Sequence, residues 1–290
     1  MEPQQVVKLR TYEDTDKFRK KMAFPRTAMI KYDGRCTTIV KHDSGEVDYL
    51  TTGGKLFKLE NDQVFGWDST PPGVYFAEMM GGKVVGKLGD RIHSGIQTTM
   101  FTNTSKGITN KHEPTWRIFD FVSIEDYVGG KSSVPFGLRW AFLEAFISND
   151  YLADSIKCYN ASDWDHYHTA IVAGGWEGTV SIDDSQLWVS SKSRPHTQVK
   201  RKDRKDADLI CYGAKEGTGK YEGMIGSLLL KDSAGLKVDV GSGLTDAQRA
   251  MDPDYYIGKV VEIVYEQKID TYIQPIFNCV REDKDIKDIS

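Results

Sequence analysis

Between residues 207 and 281 the chain passes through five short apolar runs with glycines between them: Ala207–Tyr212, Met224–Leu230, Lys237–Val240, Lys259–Gln267 and Ile276–Arg281. Runs this short, bounded by turn-forming residues, read as strands, because a buried helix needs a longer apolar stripe. Five such strands in about 85 residues fit a small β-barrel. This segment constrains the fold most, since few architectures close so short a set of strands.

The chain before it has a different rhythm. Short strand-like runs at Ala28–Lys31, Cys36–Lys41, Val47–Leu50, Val74–Met79 and Trp116–Val122 are separated by clusters such as Asp43-Ser44-Gly45 and Pro71-Pro72-Gly73. Helices are expected over residues 11–22, where acidic residues precede basic ones in accord with the helix dipole, over 135–147 and over 163–173. Strands return at Thr179–Ile182 and Leu187–Ser190. Antiparallel strands mixed with a few helices place the chain in the α+β class, with antiparallel sheets and flanking helices followed by a C-terminal barrel of the OB type. A chain of 290 residues suggests one large domain or two. The expected division is 1–204 and 205–290, with a hinge between Lys202 and Asp208. At 39% hydrophobic residues the chain can build a core without a disulfide or metal staple.

Cys36, Cys158, Cys211 and Cys279 form no C-x-x-C pair, so reduced thiols are expected, with neither a zinc site nor a redox pair. The polar start, Met1 to Lys8, gives no sign of a signal peptide, and no run approaches the ~18 apolar residues of a membrane span. A soluble, cytoplasmic monomer is the expectation, in a host cytoplasm if the source is viral. Thirty-eight Lys and Arg stand against 42 Asp and Glu, a net charge of −4, yet Ser191–Lys205 holds seven basic residues and one acidic, +6 locally. Such clustering suits phosphate contacts and salt-dependent nucleic-acid affinity, which the whole-chain charge would not suggest.

Several residues carry possible chemistry. Lys31-Tyr32-Asp33-Gly34-Arg35 sets a lysine at the end of an apolar strand before a glycine turn. An amine there can act as a nucleophile if desolvation or nearby cations favour its neutral form; attack on a nucleotide α-phosphorus would give a phosphoramidate. Glu78 ends one apolar strand, Phe119 lies near the end of another, and Glu177 precedes Gly178 and a strand. Lys200 and Lys202, two apart on a strand, share one face. Arg281-Glu282-Asp283-Lys284 follows the last strand.

In this order, these elements resemble the motifs of the covalent nucleotidyltransferases and, within them, the ATP-dependent DNA ligases, most closely the minimal T4-like bacteriophage type. Gly219–Gly226, Val240–Leu244 and Tyr255–Lys259 look ligase-like as well, so the resemblance spans about residues 25–285. It implies a nucleotidyltransferase (adenylation) domain followed by an OB-fold domain, with ATP and Mg2+ as cofactors and nicked duplex DNA as partner. It implies that Lys31 is the catalytic nucleophile, and that Arg35, Glu78, Phe119, Lys200, Lys202, Arg281, Asp283 and Lys284 bind the nucleotide with it. Glu78 and Glu177 become the candidate metal carboxylates, Glu78 alternatively holding the ribose hydroxyl. Related chemistry by an RNA ligase or a GTP-using capping-type enzyme stays open, as does a non-catalytic OB-fold nucleic-acid binder.

Two departures stand out. Many family members carry arginine where this chain has Cys36, and the neighbouring Arg35 faces the other side of a strand. Leu50–Lys55 lacks the arginine that contacts the nick phosphate in many ligases, which leaves Lys55 or Lys58 as substitutes. Bland readings are preferred elsewhere: His166 and His168 as surface imidazoles, Gly217–Lys220 as a turn before a strand, and Arg139 with Trp140 and Phe142 as mixed core and surface, a DNA contact by Arg139 being the minor alternative.

Overall fold

The computed structural model describes residues 10–11, 20–57, 67–81, 114–190, 195–268 and 270–289. The chain divides into two compact units, Met1–Lys202 and Asp203–Ser290.

The strands of the first unit are β1 (Arg10–Thr11), β2 (Arg26–Ile30), β3 (Arg35–Lys41), β4 (Val47–Thr51), β5 (Leu56–Phe57) and β6 (Gly73–Gly81). They continue with β7 (Pro114–Val122), β8 (Lys131–Pro135), β9 (Ser155–Cys158), β10 (Gly178–Asp183), β11 (Leu187–Val189) and β12 (Gln198–Lys202). Two five-stranded sheets result, in the orders β1-β12-β10-β2-β9 and β5-β4-β3-β6-β7. Every pairing in them is antiparallel except β1 with β12. Met29 and Ile182 of the first sheet share one core cluster with Ile39, Tyr75, Met79 and Ile118 of the second. Each large apolar side chain removed from water there contributes about 1.5–3 kcal/mol.

The helices follow local signals. In α1 (Ile124–Gly129) the Ser123 hydroxyl accepts from the Asp126 N–H, and Gly130 closes the helix in the left-handed region. In α2 (Phe136–Phe146) Phe136, Trp140 and Leu143 recur at helical spacing and fill the core. In α3 (Ala161–Ala173) Asn160 accepts from the Asp163 N–H.

Strands of the second unit are β13 (Lys205–Glu216), β14 (Ile225–Lys231), β15 (Lys237–Val240), β16 (Val260–Tyr265), β17 (Gln267–Lys268), β18 (Tyr272–Ile273) and β19 (Ile276–Val280). Five of them form an antiparallel sheet in the order β15-β14-β13-β16-β19. Bulges between Cys211 and Gly213 and between Lys215 and Glu216 let the long β13 bend and serve two neighbours. Leu209, Leu228, Leu230, Val240, Val261 and Ile263 form its own core. The four-residue α4 (Asp246–Arg249) starts with a Thr245/Gln248 capping box.

The expected strands and the last two helices are present within a few residues. The helix expected over 11–22 is not supported at either end: Thr11 lies in β1 and residues 20–21 form a turn, while 12–19 lie outside the described residues. One further expectation is corrected, and one minor alternative falls away. His168 is buried, its Nδ1 3.0 Å from the Thr179 hydroxyl, so of this pair His166 alone is a surface imidazole. Arg139 is also buried, paired with Asp120, and cannot serve as a DNA contact. All four cysteines are free. Burial pushes their thiols up, Cys158 to about 11. Among the described residues, no helix is long and apolar enough to cross a membrane.

Candidate active site

Lys31 is the first residue after β2, and its backbone is fixed from both sides. Ile30 N–H donates to the Asp154 carbonyl at 3.0 Å and Lys31 N–H to the Gly178 carbonyl at 2.9 Å. Gly178 permits this approach: its φ is +147°, and a Cβ there would lie 2.2 Å from the Arg201 carbonyl oxygen. Gly34 is required for a similar reason, since a Cβ would lie 2.4 Å from the Met79 carbonyl oxygen.

The Lys31 ammonium donates to Glu177 Oε2 at 2.6 Å. The other oxygen of Glu177 pairs with Lys202, and the Glu177 side chain is only 2% exposed. Burial alone would raise the Glu177 carboxyl. Lys31 and Lys202 together outweigh it and hold the group below the usual carboxylate range. Gly178 pairs with Lys202 and Val180 with Lys200, so both lysines occupy the sheet face that carries Val180. Val180 lines the cavity beside Lys31.

That cavity has a volume of ≈140 Å3 and walls formed by Met29, Phe76, Val180, Ile182 and Trp188, with Lys31, Glu78, Cys36 and Phe119 on its lining. Cys36 and Glu78 are register partners on β3 and β6 and face the same side. Glu78 accepts the Gly34 N–H at 3.0 Å. Its carboxyl is pushed up to about 8 by desolvation, against the pull of Lys31 and the Gly34 N–H. Phe119 reaches the cavity through a bulge: Phe76 pairs with Asp120 and Ala77 with Ile118, leaving Phe119 as the extra residue. Arg139 donates twice to Asp120, at 2.8 and 2.9 Å, and Asp120 accepts the Phe121 N–H at 2.8 Å, which fixes the chain just past the bulge.

The structure therefore brings together Lys31, Glu78, Phe119, Glu177 and Lys202, with Lys200 on the same sheet face. It does not bring Arg35 to this cavity. Arg35 points to the opposite face of β3 from Cys36, its guanidinium carbon 5.9 Å from the Phe57 ring centroid. Lys55 is exposed, and Lys58 lies outside the described residues. Sequence reasoning missed Tyr32 and Asp154: the Tyr32 hydroxyl donates to Asp154, and its ring packs edge-on against Trp176 at 5.4 Å. Burial pushes the Tyr32 phenol up, as does the Asp154 hydrogen bond. The aromatic residue inside K-x-D-G was the available signal.

In the second unit, Arg281 donates from Nε and Nη2 to Asp283 at 2.9 and 2.7 Å and from Nη1 to Glu262 at 2.8 Å. Arg281 holds the Asp283 carboxyl down at about 2. Lys284 pairs with Asp208. Among the described residues, no group of three or more His, Cys, Asp or Glu side chains is arranged to hold a metal ion.

Residues 216–281 match the DNA ligase OB-like domain family. No curated protein matches the chain by sequence. Solved structures resemble it over nearly its full length. The protein named Pmar-Lig_PreS3 shares 20% identity at a TM-score of 0.72, covering 96% of this chain and 68% of its own. A Lig E DNA ligase with a minimal scaffold shares 17% identity at 0.71, covering 96% and 99%. The ATP-dependent DNA ligase of bacteriophage T7, in complex with ATP, shares 16% identity at 0.50, covering 96% and 98%. The chain thus has the α+β fold of the ATP-dependent DNA ligases. The matched OB-like segment lies within the second unit.

Proposed function

We propose that this protein is an ATP-dependent DNA ligase that seals nicks in duplex DNA through a Lys31-AMP intermediate. The observation that carries the reading is Lys31 itself: an amine fixed at the end of a strand, hydrogen-bonded to a buried carboxylate, at the edge of an apolar cavity that also holds Phe119. The match of residues 216–281 to a DNA ligase OB-like domain supports the choice of substrate.

Lys31 Nζ must release a proton before it attacks, and the nearby cation of Lys202, which shares Glu177 with it, favours the neutral amine. The Nζ–P bond to the α-phosphorus of ATP forms as the bond to pyrophosphate breaks. AMP then passes to the 5′-phosphate at the nick, which frees the lysine. The 3′-hydroxyl finally attacks that phosphate and expels AMP. Positioning and charge neutralisation provide most of the acceleration in such steps. Phe119 stacks on adenine, while Lys200 and Lys202 face the α-phosphate. Arg281, Asp283 and Lys284 orient the departing pyrophosphate.

Magnesium, when bound, would neutralise phosphate charge. Glu78 and Glu177 are the residues that would hold it, with phosphate oxygens and water completing its shell. The donor chemistry fits: desolvation, with a smaller contribution from the Glu177 charge, pushes the Glu78 carboxyl up to about 8, a shift that a divalent cation would reverse.

Incubation with radiolabelled ATP or GTP and magnesium, followed by peptide mapping, tests this reading. AMP on Lys31, together with nick sealing lost in Lys31→Ala, is the expected result. Labelling from GTP alone would indicate a capping-type enzyme, and DNA binding without an adduct would indicate a non-catalytic binder.

A further inference from the structure

Asp208 and Glu262 stand directly opposite each other on β13 and β16. Like charges in that register repel, and more strongly where water is scarce. Here the two side chains are only 10% and 18% exposed. Two cations from the chain end compensate them. Arg281 Nη1 reaches Glu262 Oε2 at 2.8 Å and Asp208 Oδ1 at 3.4 Å, and Lys284 donates to the other Asp208 oxygen. With the two bonds to Asp283, Arg281 makes four hydrogen bonds, all to carboxylates. A guanidinium has five donors, so Arg281 in this state has little left for a phosphate.

We propose that Asp208 and Glu262 form a counter-site, a fixed pair of anions that positions Arg281 and Lys284 on the OB unit and competes with a polyphosphate for them. The inference rests on the ligase reading, because that reading supplies the polyphosphate. Asp208 and Glu262 are positioning residues and act only through Arg281 and Lys284. When these two cations turn to a triphosphate, the two carboxylates lose them while still facing each other across the strands, which opposes the transfer. Once pyrophosphate departs, the same pair recaptures the cations. The counter-site therefore raises the ATP concentration needed for the first step and favours release of its product.

The test uses the full-length chain with Glu262→Gln and, separately, Asp208→Asn. Glu262→Gln keeps the side-chain oxygen that accepts from Asn278 and removes only the one that accepts from Arg281. Removing one charge should lower the ATP concentration for half-maximal self-adenylylation by about 3- to 10-fold, the effect of losing a partly shielded ion pair. The maximal rate and the sealing of pre-adenylated nicked DNA should stay within about twofold of wild type, since neither step depends on capturing the triphosphate. A readout apart from activity is calorimetric binding of inorganic tripolyphosphate, which should tighten by a similar factor. A purely structural role would instead weaken both measurements or leave them alone, and either outcome overturns the counter-site while the lysine chemistry stands. A wild-type chain that acquires no AMP overturns both.

Discussion

The Asp120–Arg139 pair lies behind the bulge that delivers Phe119, and its removal has a calculable cost. Both side chains are almost fully buried, 4% and 2% exposed. Asp120→Asn keeps the shape but deletes the charge and sets an amide N–H2 against an Arg139 donor. Stripping one partner from a buried ion pair costs about 3–5 kcal/mol. The lower end applies, because Arg139 Nη1 still donates to the carbonyls of Val134 at 2.6 Å and Gln186 at 3.1 Å. Every tryptophan (67, 116, 140, 164, 176 and 188) falls within Met1–Lys202, so fluorescence during urea unfolding reports on the first unit alone. With a slope of about 3 kcal/mol per molar urea, a loss of about 3 kcal/mol moves the midpoint down by about 1 M. Asp120→Asn combined with Arg139→Met should recover at least about 1 kcal/mol, since an apolar replacement removes the stranded charge. A midpoint shift below about 0.2 M for the single variant, or no recovery in the double, would refute the claim that this ion pair holds the bulge in place.

Phe119→Ala should weaken nucleotide binding by about 5- to 150-fold, the equivalent of about 1–3 kcal/mol of stacking, measured by calorimetry with a non-hydrolysable ATP analogue. Arg281→Ala and Lys284→Ala should slow self-adenylylation far more than sealing of pre-adenylated DNA; equal losses in the two assays would remove their pyrophosphate assignment. Glu78 gives a pH prediction. Its folded value of about 8 lies above the ordinary carboxyl value of 4.5, so its stabilising contribution is complete below 4.5 and lost as pH rises through about 8. Glu78→Gln does not titrate, so it should gain on the wild type across that window in urea unfolding. The gain is on the order of 2 kcal/mol once partial exposure is allowed for; a constant difference between pH 5 and pH 8 would contradict the assignment.

Period-two alternation and the turn clusters made the strands legible, because antiparallel sheets display their burial pattern in sequence. Lys31 was legible too, since its placement at a strand end depends only on local order. Its contact with Glu177 was not, because the two are 146 positions apart and only the β2–β10 pairing joins them. The bulge at Phe119 leaves no compositional mark: Arg117-Ile118-Phe119-Asp120-Phe121 would alternate equally well without it. The same limit hid the partner of Arg139, because only the fold brings Asp120 to it. The opposition of Asp208 and Glu262 is set by cross-strand register, which the sequence does not display.

The shielded thiols have a practical consequence. A maleimide reacts with thiolate, and burial disfavours that form at all four native cysteines, pushing Cys158 up to about 11. A cysteine introduced at exposed Tyr159 in one unit and another at exposed Ile257 in the other would be more accessible to the reagent than these. Donor and acceptor dyes placed there would follow the separation of the two units in real time, with the native cysteines left in place.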